Sequence, residues 1–237
     1  MSALRNDSAM LHHAWNVSDD EAMEIQTRIA SLAVRTDAIG DVRRIEGVDV
    51  AYDDSNSNLF AAVVVLDAQT GKTLEIGQAV GKVAFPYVPG LFAFRELPHL
   101  LAAMAMLETK PDLVICDGQG IAHPRRCGLA THFGLLADVA TIGCGKTRHI
   151  GEFGILDHER GSATNLLDGD EVIGKVVRTQ DDVKPLFVSI GHRVSLDTAV
   201  DWILKLSSKF RQPEPIRRAN EFVSQMRSMS ETAGQAT

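Results

Sequence analysis

Three acidic residues stand where packing alone would not place an acid. Asp49 interrupts a strand-like run between two valines in GVDVAY (47–52). Glu96 lies at the start of a helix-like segment, after FPYVPGLFAFR (85–95). Asp117 closes the apolar run LVIC (113–116) just before GQG (118–120). Each has an ordinary explanation when taken singly: a solvated strand face, the favourable field of a helix N-terminus, an Asp in a turn. Together they point to chemistry. Three carboxylates brought near one another do not all stay ionised without a counter-ion, and a hard divalent cation such as Mg²⁺ takes carboxylate oxygens while keeping waters of its own. Such a cation activates water and stabilises in-line displacement at phosphorus.

The surrounding pattern supplies the elements that must carry these acids. Ser18-Asp-Asp-Glu21 reads as a capping box, and Ala22, Ile25, Ile29 and Leu32 follow at helical spacing, which predicts a helix over 19–34. Residues 43–53 alternate as a strand, with Val48, Val50 and Tyr52 on one face and Asp49 and Ala51 on the other. Strands over 59–67 and 73–85 complete an antiparallel meander across the turn at 67–71. A helix follows, its regular part expected to start near 95–97 because Pro98 fits a first turn.

The apolar strand 113–116 belongs at a sheet centre covered on both faces. Further elements are a helix over 128–139, strands at 140–145, 153–156, 171–179 and 185–189, and helices over 196–209 and 215–229. The expected fold class is α/β, a mixed central sheet with a βββαβα core and helices on both faces. In that arrangement the first and fourth strands are neighbours, so Asp49 and Asp117 come together and the intervening helix brings Glu96 beside them. The chain reads as one domain over 1–237, with 1–16 a loose arm and 229–237 a fraying tail.

Composition narrows the class. With 45% hydrophobic and 23% charged residues in 237 positions, the chain resembles an ordinary globular protein. Its longest apolar runs, 59–66 and 100–107, are too short to span a bilayer. The first residues hold no apolar signal-peptide core, so a cytoplasmic location and no membrane partner are expected. Cys116, Cys127 and Cys144 show no paired spacing and are expected as reduced thiols. A net charge of −7 lowers the prior for a nucleic-acid partner. The distribution qualifies that: between Gly118 and Gly151 stand Arg125, Arg126, Lys146 and Arg148, with Asp138 the single acid.

These residues also carry a resemblance. The segments GVDVAY (47–52), FPYVPGLFAFRE (85–96), DLVICDGQGIAHPRRCGLATHFGL (112–135), TIGCGKTRHIG (141–151), PLFVSIGHRVSL (185–196) and FRQPEPIRRA (210–219) closely resemble, in order, the endonuclease V family of DNA repair nucleases. The resemblance implies a ribonuclease-H-like fold, with metal and catalytic acids at Asp49, Glu96 and Asp117. It implies a wedge at Pro86, Tyr87, Val88 and Pro89, pushed into the duplex with Tyr87 at its tip. His123 and Lys146 match positions near the active site, Lys146 toward the phosphate or attacking water. Gly118 and Gly120 would let backbone approach an extruded hypoxanthine, as base-flipping enzymes require.

The implied activity is hydrolysis of the second phosphodiester bond 3′ to deoxyinosine, or another deaminated base, leaving a 3′-hydroxyl and a 5′-phosphate. The implied cofactor is Mg²⁺, with Mn²⁺ as substitute, and the implied state a monomer. Inosine-containing RNA as substrate, a non-catalytic binder of inosine-containing nucleic acid, and another ribonuclease-H-like nuclease stand as alternatives. Some relatives carry a His after the Pro-Glu-Pro segment, where this sequence has Asn220. His192 is read as a structural or backbone contact.

Overall fold

The computed structural model describes residues 11–235. Its order is α1 (Asp19–Ala30), β1 (Arg44–Tyr52), β2 (Asn58–Asp67), β3 (Thr73–Lys82), α2 (Phe92–Met104), β4 (Leu113–Cys116), α3 (Leu129–Ala137) and β5 (Ala140–Gly145). There follow β6 (Glu152–Phe153), β7 (Ala163–Asp168), β8 (Glu171–Val177), β9 (Leu186–His192), α4 (Leu196–Leu206) and α5 (Glu214–Gln235). The strands form one sheet in the order β3-β2-β1-β4-β5-β9-β8-β7-β6. β1 to β3 are an antiparallel meander, β4 runs parallel to β1, and β5 runs parallel to β4. This is the ribonuclease-H-like core, extended on its far side by the antiparallel strands β9 to β6.

The two-residue period of β1 sorts its side chains between two cores. Val48, Val50 and Tyr52 pack with Ala93 and Leu97 of α2 and with Phe133 of α3. Ile45 packs on the opposite face with Ile216 of α5 and Ala199 and Ile203 of α4, and Ala51 faces Phe222 and Met226 of α5. Helices therefore cover both faces, and Asp49 lies on the α5 side. One member of the α2 side is out of character. Glu46 is fully buried between Val65 and Val114 on the flanking strands, and neither carboxyl oxygen has a hydrogen-bond partner. Burial pushes its pKa up to about 8.

The Ser18 capping box forms as expected. Several expectations need correction. Helix α2 begins at Phe92, so Pro98 sits in its second turn, where it withholds a hydrogen bond from the Phe94 carbonyl. That loss of ~3 kcal/mol is offset because the same helix buries Phe94, Leu97 and Leu100 almost completely, each worth about 1.5–3 kcal/mol.

The strand expected at 153–156 is only Glu152–Phe153, and β7 lies where no strand was expected. Of the loose arm, residues 1–10 lie outside the described residues. Its remainder is docked: Leu11 and Trp15 pack on the core, Trp15 against Phe94, and His13 Nε2 lies 2.8 Å from His132 Nε2. The tail is helical to Gln235, and 236–237 lie outside the described residues. Among the described residues no helix is long and apolar enough to cross a membrane.

Candidate active site

The parallel register of β1 and β4 sets Val48 opposite Cys116. β4 ends there while β1 runs on to Tyr52, and the next residue on each chain is an acid, Asp49 and Asp117. Asp49 faces α5, whose Asn220 donates from Nδ2 to Asp49 Oδ2 at 2.7 Å. The Val50 N–H donates to the other oxygen at 2.9 Å. Lys146, just past β5, sets its Nζ 2.5 Å from Asp117 Oδ2. On α2, Glu96 accepts a 3.0 Å hydrogen bond from the Tyr52 hydroxyl. The Arg95 guanidinium stacks on the Tyr52 ring at 4.7 Å.

These groups feel one another. Burial, assisted by the Asp117 charge, lifts Asp49 to about 6 against the hydrogen bonds from Asn220 and Val50. Burial, assisted by Asp49 and Asp117, lifts Glu96 to about 7 against the Tyr52 hydrogen bond. Burial alone would lower Lys146, but its contact with Asp117 wins and holds the ammonium above the usual lysine range. The site is thus short of positive charge.

Among the described residues no three His, Cys, Asp or Glu side chains form a ready-made metal cage. Mg²⁺ does not require one, since it is commonly held by one or two carboxylates with waters and substrate phosphate completing the shell. Asp49 and Asp117, hard oxygen donors carried by adjacent strands, with the Asp49 pKa raised for want of a compensating positive charge, fit that requirement.

A cavity of about 340 Å³ opens beside the acids, lined by Glu96, Asp117, Gly118, Gln119, Phe92 and His149 among others. The volume is in the range of small-molecule sites. Next to it stands the Pro86–Pro89 loop. Pro86, Tyr87 and Pro89 are exposed, Tyr87 to 68%, while Val88 packs inward. The Tyr87 ring meets Phe92 edge-on at 5.2 Å, linking the loop to the cavity wall. His123 also lines the cavity. It is buried, stacks on His149 at 5.4 Å and donates from Nε2 to the Gly90 carbonyl at 2.9 Å. Burial pushes it down to about 4, so it is neutral.

Two sequence expectations change here. Gly118 does line the cavity, but Gly120 does not. A side chain at Gly120 would place its Cβ 2.0 Å from the Ile190 carbonyl, so this glycine exists for close approach to β9. The basic run is also partly spent inside the protein. Arg126 pairs with Asp168 and Glu171 at 2.7 and 2.8 Å, and Arg125 donates to Gln26 at 2.7 Å. Lys146 and Arg148 remain exposed.

Sequence reasoning missed Tyr52, Phe92, Gln119 and His149. Tyr52 had a signal: its strand parity with Val48 turns it toward the helix that carries Glu96. His192 is the backbone contact expected, accepting from the Val34 N–H at 3.2 Å.

The Endonuclease V family model matches residues 26–221. The chain belongs to the endonuclease V family. The endonuclease V of Gloeobacter violaceus is 46% identical over 91% of this chain and 89% of its own length. The crystal structure of the Streptomyces avermitilis endonuclease V superposes with a TM-score of 0.86 at 44% identity, over 93% of this chain and 96% of that one. The endonuclease V of Ciona intestinalis is solved with a 24mer DNA containing an inosine followed by a ribo-adenosine. It matches with a TM-score of 0.76 at 28% identity, over 87% of this chain and 96% of that one. The three acids, the wedge residues and the pocket groups discussed above, from Asp49 to Asn220, all fall inside the span that the endonuclease V model matches.

Proposed function

We propose that this endonuclease V acts on deoxyinosine in DNA as a Mg²⁺-dependent repair nuclease, with Mn²⁺ as a working substitute. It would hydrolyse the second phosphodiester bond 3′ to the lesion. The observation that carries this reading is the placement of Asp49 beside Asp117, which with Glu96 lines a cavity large enough for a base, next to an exposed aromatic loop held between prolines. The Ciona relative's complex with inosine-containing DNA supports the substrate class.

In this reading Tyr87 enters the duplex and the extruded base occupies the cavity, where Gly118 leaves its backbone open to it. Asp49 and Asp117 would hold the cation, which when bound supplies an acidified water and neutralises phosphoryl charge. Asn220 fixes the rotamer of Asp49, and Tyr52 fixes that of Glu96. Lys146 donates toward a phosphate oxygen once substrate draws it from Asp117. Water adds to phosphorus and the P–O3′ bond breaks, so the upstream strand keeps a 3′-hydroxyl and the downstream strand a 5′-phosphate. The base stays attached to its sugar.

A second reading, cleavage in inosine-containing RNA, has one observation in its favour: the nucleotide after inosine in the Ciona complex is a ribonucleotide. The test is to supply end-labelled DNA and RNA strands with one inosine each, with Mg²⁺, with Mn²⁺ or with chelator, and map the cut. Cleavage of DNA two bonds downstream, lost on chelation, is the expected result. Equal cutting of strands without inosine would refute it.

A further inference from the structure

The wedge loop is held at both ends by side chains rather than by its own backbone alone. At its start, the Phe85 carbonyl accepts from Arg95 Nη1 at 2.9 Å. At its end, the Gly90 carbonyl receives three donors: Gln26 Nε2 at 3.1 Å, His123 Nε2 at 2.9 Å and Arg125 Nη2 at 3.1 Å. A carbonyl oxygen has two lone pairs, so three donors on one oxygen is a concentration that an ordinary turn does not need.

The three donors also lock one another. Gln26 Oε1 accepts from Arg125 Nε at 2.7 Å, and Gln26 Nε2 also donates to the Cys127 carbonyl at 2.9 Å. His123 Nδ1 accepts the Arg125 N–H at 3.2 Å, which fixes the ring with its proton on Nε2. Gly90 itself has a φ of +82°, and a Cβ there would sit 3.0 Å from Arg125 Nη2. The loop therefore ends in a conformation that favours glycine, capped by two buried donors, Gln26 and His123, and a half-buried one, Arg125.

Gln26 belongs to α1, outside the elements that carry the acids, and its side chain is buried. A buried glutamine on a helix whose other inward residues are Ala22, Ile25 and Ile29 needs a reason to be polar. We propose that Gln26 is a positioning residue for lesion recognition: together with His123 and Arg125 it clamps the Gly90 carbonyl and keeps the Tyr87 loop stiff as it enters a duplex. A loop that gives way on contact would let the base pair close again, so stiffness at its root converts binding into base extrusion. The inference rests on the reading of Pro86–Pro89 as a wedge.

The consequence is a selective one. A wedge is needed where the inosine is paired and stacked, and is idle where the strand is single. The test compares wild type with Gln26→Met, which keeps the length and removes both donations, and Gln26→Glu, which keeps the acceptor for Arg125 but turns a carboxylate toward two carbonyls. Single-turnover cleavage is measured on one inosine strand, free and annealed, with 2-aminopurine beside the lesion to report unstacking. Both variants are expected to lose about tenfold on the duplex, with a matching loss of fluorescence change, while staying within about twofold on the single strand. An equal loss on both substrates, or none on the duplex, overturns the proposal. Tyr87→Ala run in parallel tests the reading beneath it: if that variant cuts and unstacks duplex like wild type, the loop is not a wedge and the clamp has nothing to serve.

Discussion

Replacing Glu46 by methionine is expected to stabilise the protein by an amount that grows with pH. Glu46 is fully buried on the α2 side of β1, without a hydrogen-bond partner for either oxygen. Its pKa is about 8 in the folded chain, against 4.5 for the ordinary side chain. The folded chain therefore holds a proton that the unfolded chain releases from pH 4.5 upward, and stability is lost as pH rises through this window. The gap corresponds to on the order of 5 kcal/mol once the pH exceeds 8. Methionine has a similar length and nothing to ionise, so the variant escapes the loss.

Urea unfolding of both proteins from pH 5 to pH 8 isolates this group, because the other titrating residues are common to the pair. The stability difference should widen by about 1.4 kcal/mol per pH unit, reaching on the order of 4 kcal/mol across the range. A difference that is the same at pH 5 and pH 8 would refute the argument that a neutral carboxyl is sealed in this layer.

Other outcomes follow from the same geometry. Asp117→Ala should abolish nicking while inosine-dependent binding persists in a gel-shift assay; full cleavage would remove Asp117 from the metal site. Asn220→Ala frees Asp49 from its 2.7 Å hydrogen bond and should lower kcat about tenfold, as loss of a partner that orients a metal ligand does, while the melting temperature moves little. Gly120→Ala forces a Cβ against the Ile190 carbonyl and should destabilise by about 1–3 kcal/mol, visible as a lower urea midpoint. Affinity for inosine DNA should fall with salt along a shallow log–log slope of about −2 to −3, since Arg125 and Arg126 are engaged internally. A slope near zero would remove Lys146 and Arg148 from the phosphate contacts.

The parts legible in the sequence are those set by local pattern. The Ser18 capping box, the alternation of β1 and the apolar run of β4 each rest on neighbours a few residues apart, and the structure places all three as expected. The adjacency of Asp49 and Asp117 was also legible, since topology puts the first and fourth strands together. What escaped depends on distant partners. Arg126 reads as part of a basic region until Asp168 and Glu171 close on it from β7 and β8. Gly120 reads as a base-approach glycine until β9 presents the Ile190 carbonyl. Pro98 reads as a first-turn residue because local propensity does not record how much apolar surface the preceding turn buries.

The docking of α5 has a consequence for the chain as it is made. Of the described elements α5 is synthesised last, yet it carries Asn220 to Asp49 and covers Phe60, Ala62, Val64 and Leu66 on β2. A nascent chain that has already exposed both carboxylates to the cell therefore lacks the group that orients one of them, and leaves a strip of apolar sheet open to water. Orientation of Asp49 and cover for the apolar sheet arrive together with α5, so a ribosome stalled before Glu214 would release a fragment that is sticky and poorly poised to cut nucleic acid.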